Sequence, residues 1–388
     1  MTGQKRPKRP PSNYVAEWFG HIVWPPEQID ASQEAVRDQT EERCPFLSSA
    51  TASDVPCIKK ISAGPYRSGF CTASSPSTGV REDWLACPAR VFDQHFALIR
   101  SAIVHLFEVP KSVEFDAYPL TRFEDPAVQA RVRELDAGSG PHRVFAFASN
   151  PPLLGGEIDI PETASSPGNK VDVSIFEVLR VENEKPVLGR FAIFEIQTAD
   201  FHGSPLHAIG ELRSLGPPTE DRDYHDAIAA KPELLGKRVE GPNKANIFKR
   251  TIYQMILKIQ MAKDPSCAGF CVVLPEPVWR SWERHLGSPA LTADPDRPGV
   301  LRMTAPSESR HVEPLVEKEP AWILVFKIDR GSSETPRPLA IVKQIATDSH
   351  ALLHHAFEEA PRHAVAEGAL ERFSSAFERR LGAAWKRS

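Results

Sequence analysis

The run RFAIFEIQT, residues 190–198, sets a carboxylate inside an apolar segment. Side chains alternate between faces along a strand, so Phe191, Ile193, Glu195 and Gln197 share one face. A second acid, Asp172, interrupts the β-branched run KVDVSIFEVLRV, residues 170–181. A polar turn around Asn183–Pro186 joins the two runs, which predicts a hairpin that sets Asp172 beside Glu195 and Gln197. Buried carboxylates are costly unless they are paired or bind a metal. Two acids and an amide at one sheet edge suit Mg²⁺, which takes oxygen ligands from one or two carboxylates, water and substrate phosphate. A cation held so acidifies a bound water and stabilises charge on a phosphoryl group under attack. That is the chemistry of phosphodiester hydrolysis. Glu157, after Gly155 and Gly156, is a further acid for this site, although such a residue also reads as part of a turn. Single acids at solvent-facing strand edges look the same in sequence, so the residues alone leave both readings open.

A second group of residues suits softer metals. Cys44, Cys57, Cys71 and Cys87 are separated by 12, 13 and 15 residues. No pair has the CxxC spacing of an obvious zinc finger. Scattered buried thiols and a four-thiolate metal site are both compatible with this spacing. The segment from Tyr14 to Ala89 is turn-rich and short of periodic apolar residues, so a metal staple would help it fold. Cys267 and Cys271 lie in or beside a strand-like segment and read as core residues.

Residues 243–262 predict an amphipathic helix with Phe248, Ile252, Met255, Ile256 and Ile259 on one face. Arg250, Gln254 and Lys258 fall away from that face, with Lys249 beside them. A basic, amide-bearing face suits phosphate and base-edge contacts, and equally a solvated surface. The stretch Asp200–Ser204 follows the acid-bearing strand and offers His202 and Ser204 to the same partner.

These groups need a scaffold. Residues 91–107 and 277–286 predict further helices, as do the segments after Thr347. His142–Ala148, Gly269–Leu274 and Ala321–Ile328 predict buried strands. Residues 287–312 read as a long surface loop. The fold class is α/β, with a mixed central sheet flanked by helices and a loop-rich N-terminal metal-binding segment. The chain divides into a disordered basic arm over 1–13, a four-cysteine region with a helix over 14–110, and a catalytic and DNA-binding unit over 111–388. Lys5, Arg6, Lys8 and Arg9 make the arm a candidate phosphate contact or a solubilising tail. The net charge of −4 over 388 residues does not announce a nucleic-acid binder, but an acidic nuclease can still hold a basic cleft. No apolar run is long enough to span a bilayer, and the first residues lack a secretory signal. The expected location is therefore the cytoplasm, where disulfides are unfavoured.

Several stretches resemble the NotI-like type II restriction endonucleases of the PD-(D/E)XK superfamily. They are AEWFGHIVWP (16–25), CPFL (44–47), DWLACPAR (83–90), FEIQTADFHGS (194–204), EGPNKANIFKRTIYQM (240–255) and VWRSWERHL (278–286). They occur in order across most of the chain. The resemblance implies a PD-(D/E)XK core in which Asp172 is the first acid, Glu195 the second, and Gln197 stands where the wider superfamily has Lys. Gln cannot take a proton and can only position water by hydrogen bonding. The resemblance also implies one iron held by Cys44, Cys57, Cys71 and Cys87, a closed site that zinc would satisfy equally.

The expected activity is Mg²⁺-dependent, sequence-specific cleavage of double-stranded DNA, leaving 5′-phosphate and 3′-hydroxyl ends. The implied partners are a GC-rich palindrome, a second copy of the chain and a cognate DNA methyltransferase. A two-fold symmetric site mirrors a symmetric dimer. The alternatives are a repair or modification-dependent nuclease of the same fold, and a non-catalytic, metal-stapled DNA-binding protein.

Overall fold

The computed structural model describes residues 11–60, 66–77, 79–135, 142–164, 168–215, 224–306, 321–332, 334 and 336–385. The basic residues of the N-terminal arm lie outside these, as does the end of the loop expected at 287–312.

The described chain begins with β1 (Tyr14–Trp18), β2 (His21–Ile22), α1 (Gln33–Thr40), α2 (Pro45–Thr51), β3 (Phe70–Ser75) and β4 (Glu82–Leu85). The four strands form an antiparallel sheet in the order β2-β1-β3-β4. Next come α3 (Asp93–Leu106), β5 (Glu114–Pro119), α4 (Pro126–Arg133) and β6 (His142–Ser149). The short hairpin of β7 (Ile158–Ile160) and β8 (Asn169–Val171) precedes the long one of β9 (Val173–Glu182) and β10 (Lys185–Ile196). After it lie β11 (Phe201–Gly203), α5 (Leu206–Ser214), α6 (Tyr224–Ala230), β12 (Val239–Pro242), α7 (Lys244–Met261) and β13 (Cys267–Pro275). The remaining elements are α8 (Glu276–His285), β14 (Thr292–Ala293), β15 (Val300–Arg302), β16 (Ala321–Ile328), β17 (Leu339–Thr347), α9 (Ser349–His354), α10 (Ala360–Ala366) and α11 (Ala369–Trp385).

Nine strands make one mixed sheet in the order β14-β15-β17-β16-β13-β10-β9-β6-β5, giving the mixed α/β architecture expected. The turn between β9 and β10 is Asn183–Glu184, both with positive φ. Two such residues give a turn whose twist matches that of the strands it joins. β10 runs antiparallel to β9 and parallel to β13. A parallel neighbour requires a crossover, and α7 is its last element before β13. One apolar cluster joins Phe145, Ile175 and Phe194 of the sheet to Ile99 of α3 and to Phe19, Phe46 and Phe70 of the N-terminal segment. A second joins Ile193, Phe270 and Val272 to Phe248, Ile252 and Met255 of α7 and Trp279 and Trp282 of α8. The N-terminal segment thus shares its core with the main sheet, consistent with its shortage of apolar residues.

Two expectations needed correction. The N-terminal segment contains a sheet that its short strands concealed. Residues 287–312 are not simply a loop, because β14 and β15 extend the main sheet and pair onto β17. Among the described residues, no helix is long and apolar enough to cross a membrane.

A buried ionic chain braces the N-terminal sheet. His21 Nδ1 lies 2.7 Å from Asp30 Oδ2, and its Nε2 lies 2.9 Å from Asp38 Oδ2. Asp38 Oδ1 accepts from Arg43 Nη1 at 2.7 Å. Burial alone would lower the imidazole pKa, but the hydrogen bonds to Asp30 and Asp38 outweigh it and raise it to about 9. A group with a raised folded pKa stabilises most below its unfolded value, here 6.5, and loses that contribution as pH rises toward 9. The shift corresponds to roughly 3 kcal/mol. Thermal stability relative to His21→Gln should therefore be greatest near pH 6 and shrink steadily to pH 10. A constant difference in melting temperature across that range would contradict the assignment.

Candidate active site and cysteine cluster

Asp172 occupies the break between β8 and β9 rather than the middle of one strand. The register pairs Val173 with Phe194, so Asp172 stands across from Glu195. Each carboxylate accepts from a backbone amide at the other's strand. Ile196 N donates to Asp172 Oδ2 at 2.8 Å, and Asp172 N donates to Glu195 Oε1 at 3.3 Å. Ser149 Oγ donates to the Asp172 carbonyl at 2.7 Å. The hairpin therefore brings the two acids together as the sequence predicted.

Lys258 does not lie where the helical pattern placed it. Its side chain is only 2% exposed, and its Nζ lies 2.6 Å from Glu195 Oε1. Glu195 shares the sheet face of Ile193, which α7 covers, so a residue on the inner side of α7 reaches it. Sequence reasoning set Lys258 on the outer side, yet it continues the buried row of Ile247, Thr251 and Met255 at three- and four-residue steps. That spacing was the available signal.

The charges in this pocket do not balance. Burial raises the Glu195 pKa, the Asp172 charge raises it further, and Lys258 opposes both, leaving it at about 7. Burial also raises Asp172, against the Ile196 amide and Lys258, with Glu157 adding to the rise. The buried Glu195 and the half-buried Asp172 share one ammonium, and the excess negative charge suits a hard cation with oxygen ligands.

Gln197 accepts at Oε1 from Thr251 Oγ1 of α7 at 2.7 Å, so its NH₂ is the group it can offer a water. Glu157 is peripheral. Its Oε2 lies 3.6 Å from Lys170 Nζ, and it acts on Asp172 only through space.

Of the expected DNA-contacting residues, Arg250 is tied to the stretch that follows β10, whereas Lys249 acts on His285 of α8. Lys249, Arg250 and Gln254 are exposed on α7, His202 is exposed and Ser204 is half-buried. Arg250 Nη1 lies 2.9 Å from Asp200 Oδ2, tying α7 to the start of the 200–204 stretch. Asn243 N donates to the Asp200 carbonyl at 2.8 Å, and β11 pairs with β12.

Cys44, Cys57, Cys71 and Cys87 are all buried and free. Among the described residues, no three His, Cys, Asp or Glu side chains already form a cage for a metal ion. The four sulfurs nevertheless act on one another. A hydrogen bond with Cys71 lowers Cys87 to about 6 despite burial, while Cys71 is raised by that bond, by burial and by the charges of the other three. Burial and Cys87 raise Cys44 and Cys57. Amides two residues on, those of Phe46, Lys59 and Ala89, each hydrogen-bond to Cys44, Cys57 and Cys87 in turn. Donors aimed at sulfur favour thiolate, the form that soft and borderline ions bind. Cys267 and Cys271 belong to β13 and are buried in the core, as expected.

No protein-family model matches the chain. No curated protein matches it significantly.

Proposed function

We propose that the chain is a Mg²⁺-dependent endonuclease that cuts both strands of DNA at a specific sequence, in the manner of the NotI-like PD-(D/E)XK enzymes it resembles. The observation that carries this reading is the meeting of Asp172, Glu195 and Lys258 at one end of β10, next to the exposed basic face of α7. Asp172 and Glu195 would hold the cation, which when bound supplies Lewis-acid stabilisation of phosphoryl charge and acidifies water. Lys258 presents a second positive charge to the same phosphoryl group and fixes the orientation of Glu195. Gln197, held by Thr251, directs its NH₂ donors toward a water. Lys249 and Arg250 would neutralise phosphates, and His202, Ser204 and Gln254 would be the groups that contact bases. Cys44, Cys57, Cys71 and Cys87 would hold one iron or zinc ion with no open position, in a structural role.

The test separates the two metals. Phage DNA incubated with the protein and Mg²⁺ should give discrete fragments with 5′-phosphate ends. Mild chelation should stop cleavage, and returned Mg²⁺ should restore it fully, while elemental analysis finds about one transition metal retained throughout. Activity that tracks the transition metal and ignores Mg²⁺ would move catalysis to the cysteines. The absence of fragments from any DNA with Mg²⁺ or Mn²⁺ would refute the nuclease reading.

A further inference from the structure

Two adjoining clefts border the N-terminal sheet, with volumes of about 320 and 230 Å³. They share Arg81, Asp83 and Arg330, so they form one groove. The second cleft is bounded by Leu85 and by Pro275 and Phe326, near the C-terminal ends of β13 and β16. Both strands run parallel to β10, with Ile196 beside Val273 and Val273 beside Leu324. The groove therefore opens on the same sheet edge as Asp172 and Glu195. Ala199 N, which donates to the Leu85 carbonyl, ties the two places together. Lys327 lies two strands across and four residues farther along than Glu195, on the order of 16 Å away.

The charges in the groove are unequally matched. Asp83 is held by Arg330, with Oδ1 2.7 Å from Nη2. Arg280 answers Glu82 and Glu276, and Arg90 answers Glu17. Arg81, Lys327 and Arg337 make no ion pair among the described residues. Of the lining acids, only the exposed Glu27 lacks a cation among the described residues, so positive charge is in excess. Arg81 is also fixed in place by neutral groups. Its guanidinium lies 4.7 Å from the centre of the Trp24 ring, which stacks on Tyr14, and its Nη2 donates to the Ser12 carbonyl at 3.0 Å. A cation held by a ring and a carbonyl keeps its charge available to an anion and loses little freedom on binding. Arg337 donates from Nη2 to Gln28 Oε1 at 3.2 Å.

We infer that this groove binds the sugar–phosphate backbone of the duplex to one side of the cut, with Arg81, Lys327 and Arg337 as its phosphate contacts. The separation from Glu195 is well within one helical turn, about 34 Å, so a duplex engaged at the acids passes the groove. Contacts of this kind set register and orientation without reading sequence. The identity of the occupant rests on the nuclease reading, so the groove is tested by binding and that reading by cleavage.

Binding of a labelled duplex of about 20 base pairs, two helical turns, is followed by fluorescence anisotropy in Ca²⁺ over a range of salt. Arg81→Gln, Lys327→Gln and Arg337→Gln should each lower the slope of log affinity against log salt by about 0.9, and the triple variant by roughly three times as much. Arg81→Lys keeps the charge and should keep the slope. Lys185→Gln, beside the hairpin turn at the far end of β10, should leave the slope unchanged. Lys327 is exposed, so its replacement leaves the fold intact whatever the two arginines do. Unchanged slopes in Lys327→Gln and in the triple variant would overturn the inference, as would an equal loss in Lys185→Gln or a wild type without affinity for duplex. A wild type that cuts DNA while the slopes stay unchanged would keep the nuclease reading and remove the groove. A wild type that never cuts, with the slopes falling as expected, would do the reverse.

Discussion

Asp172→Asn should reduce single-turnover cleavage on the order of 10³-fold or more, and it should raise the melting temperature. The loss follows from removing one of two charges available to a cation whose stabilisation of phosphoryl charge is worth several kcal/mol. The gain follows from the same environment. Burial raises the pKa of Asp172, so its ionised form is less favourable in the folded protein than in the unfolded chain. Asparagine has nearly the same shape and no charge, and it can still accept from the Ile196 amide. Glu195→Gln should be equally inactive but should not be more stable, because it removes the carboxylate in direct contact with the buried Lys258 ammonium and leaves only the more distant Asp172 charge. Specific binding measured with Ca²⁺ in place of Mg²⁺ should survive in both. Either variant cutting at a near wild-type rate would remove these acids from catalysis. A destabilised Asp172→Asn would mean that its charge is compensated by something other than the groups described.

Lys258→Met should slow single-turnover cleavage by roughly 10²–10³-fold, the loss typical of one well-placed donor to developing charge. Methionine has similar length, so packing against α7's neighbours is largely kept. A structural brace and a charge at the reacting phosphate predict different behaviour toward Mg²⁺. Without Lys258 the two acids carry an unrelieved negative charge, so the Mg²⁺ concentration for half-maximal cleavage should fall while the maximal rate drops. A brace would raise that concentration by disordering Glu195. Combining Lys258→Met with Glu195→Gln should recover part of the stability lost by either single change, since the double variant removes both members of the buried ion pair and leaves only the half-buried Asp172 charge. Its cleavage should remain lost. An unchanged maximal rate in Lys258→Met would leave the amide of Gln197 to orient the attacking water.

The hairpin and its acids were legible because an acid in an apolar, β-branched run is costly and therefore conspicuous, and because Asn183 marks the turn between two such runs. The helix over Lys244–Met261 was legible from its apolar period, but the orientation of Lys258 was not. That helix is covered over a wide arc by β10, β13 and α8, so a narrow apolar stripe underestimates what is buried. A lysine inside that arc looks like a surface residue until its carboxylate partner, far away in sequence, is in place. The pairs β1–β3 and β15–β17 were hidden for a related reason. β1, β3 and β15 are short, and the long-range pairing that makes them strands leaves little local pattern. The four cysteines could be identified as a group from composition, whereas their convergence depends on folding that brings Cys44 and Cys87 together.

The 200–204 stretch is anchored from three directions. Ala199 N donates to the Leu85 carbonyl at 2.7 Å, two residues before Cys87. Asp200 is held by Asn243 and Arg250, and Phe201 pairs with Pro242. A surface built this way is poor material for modular redesign. Transplanting the stretch alone into another scaffold removes all three anchors, and lengthening it pulls against the strand that carries Glu195. Reshaping the surface would take coordinated changes in the N-terminal sheet, α7 and this stretch. Substitutions at any one of them are then coupled to the other two, so their effects on the shape of this surface should not add.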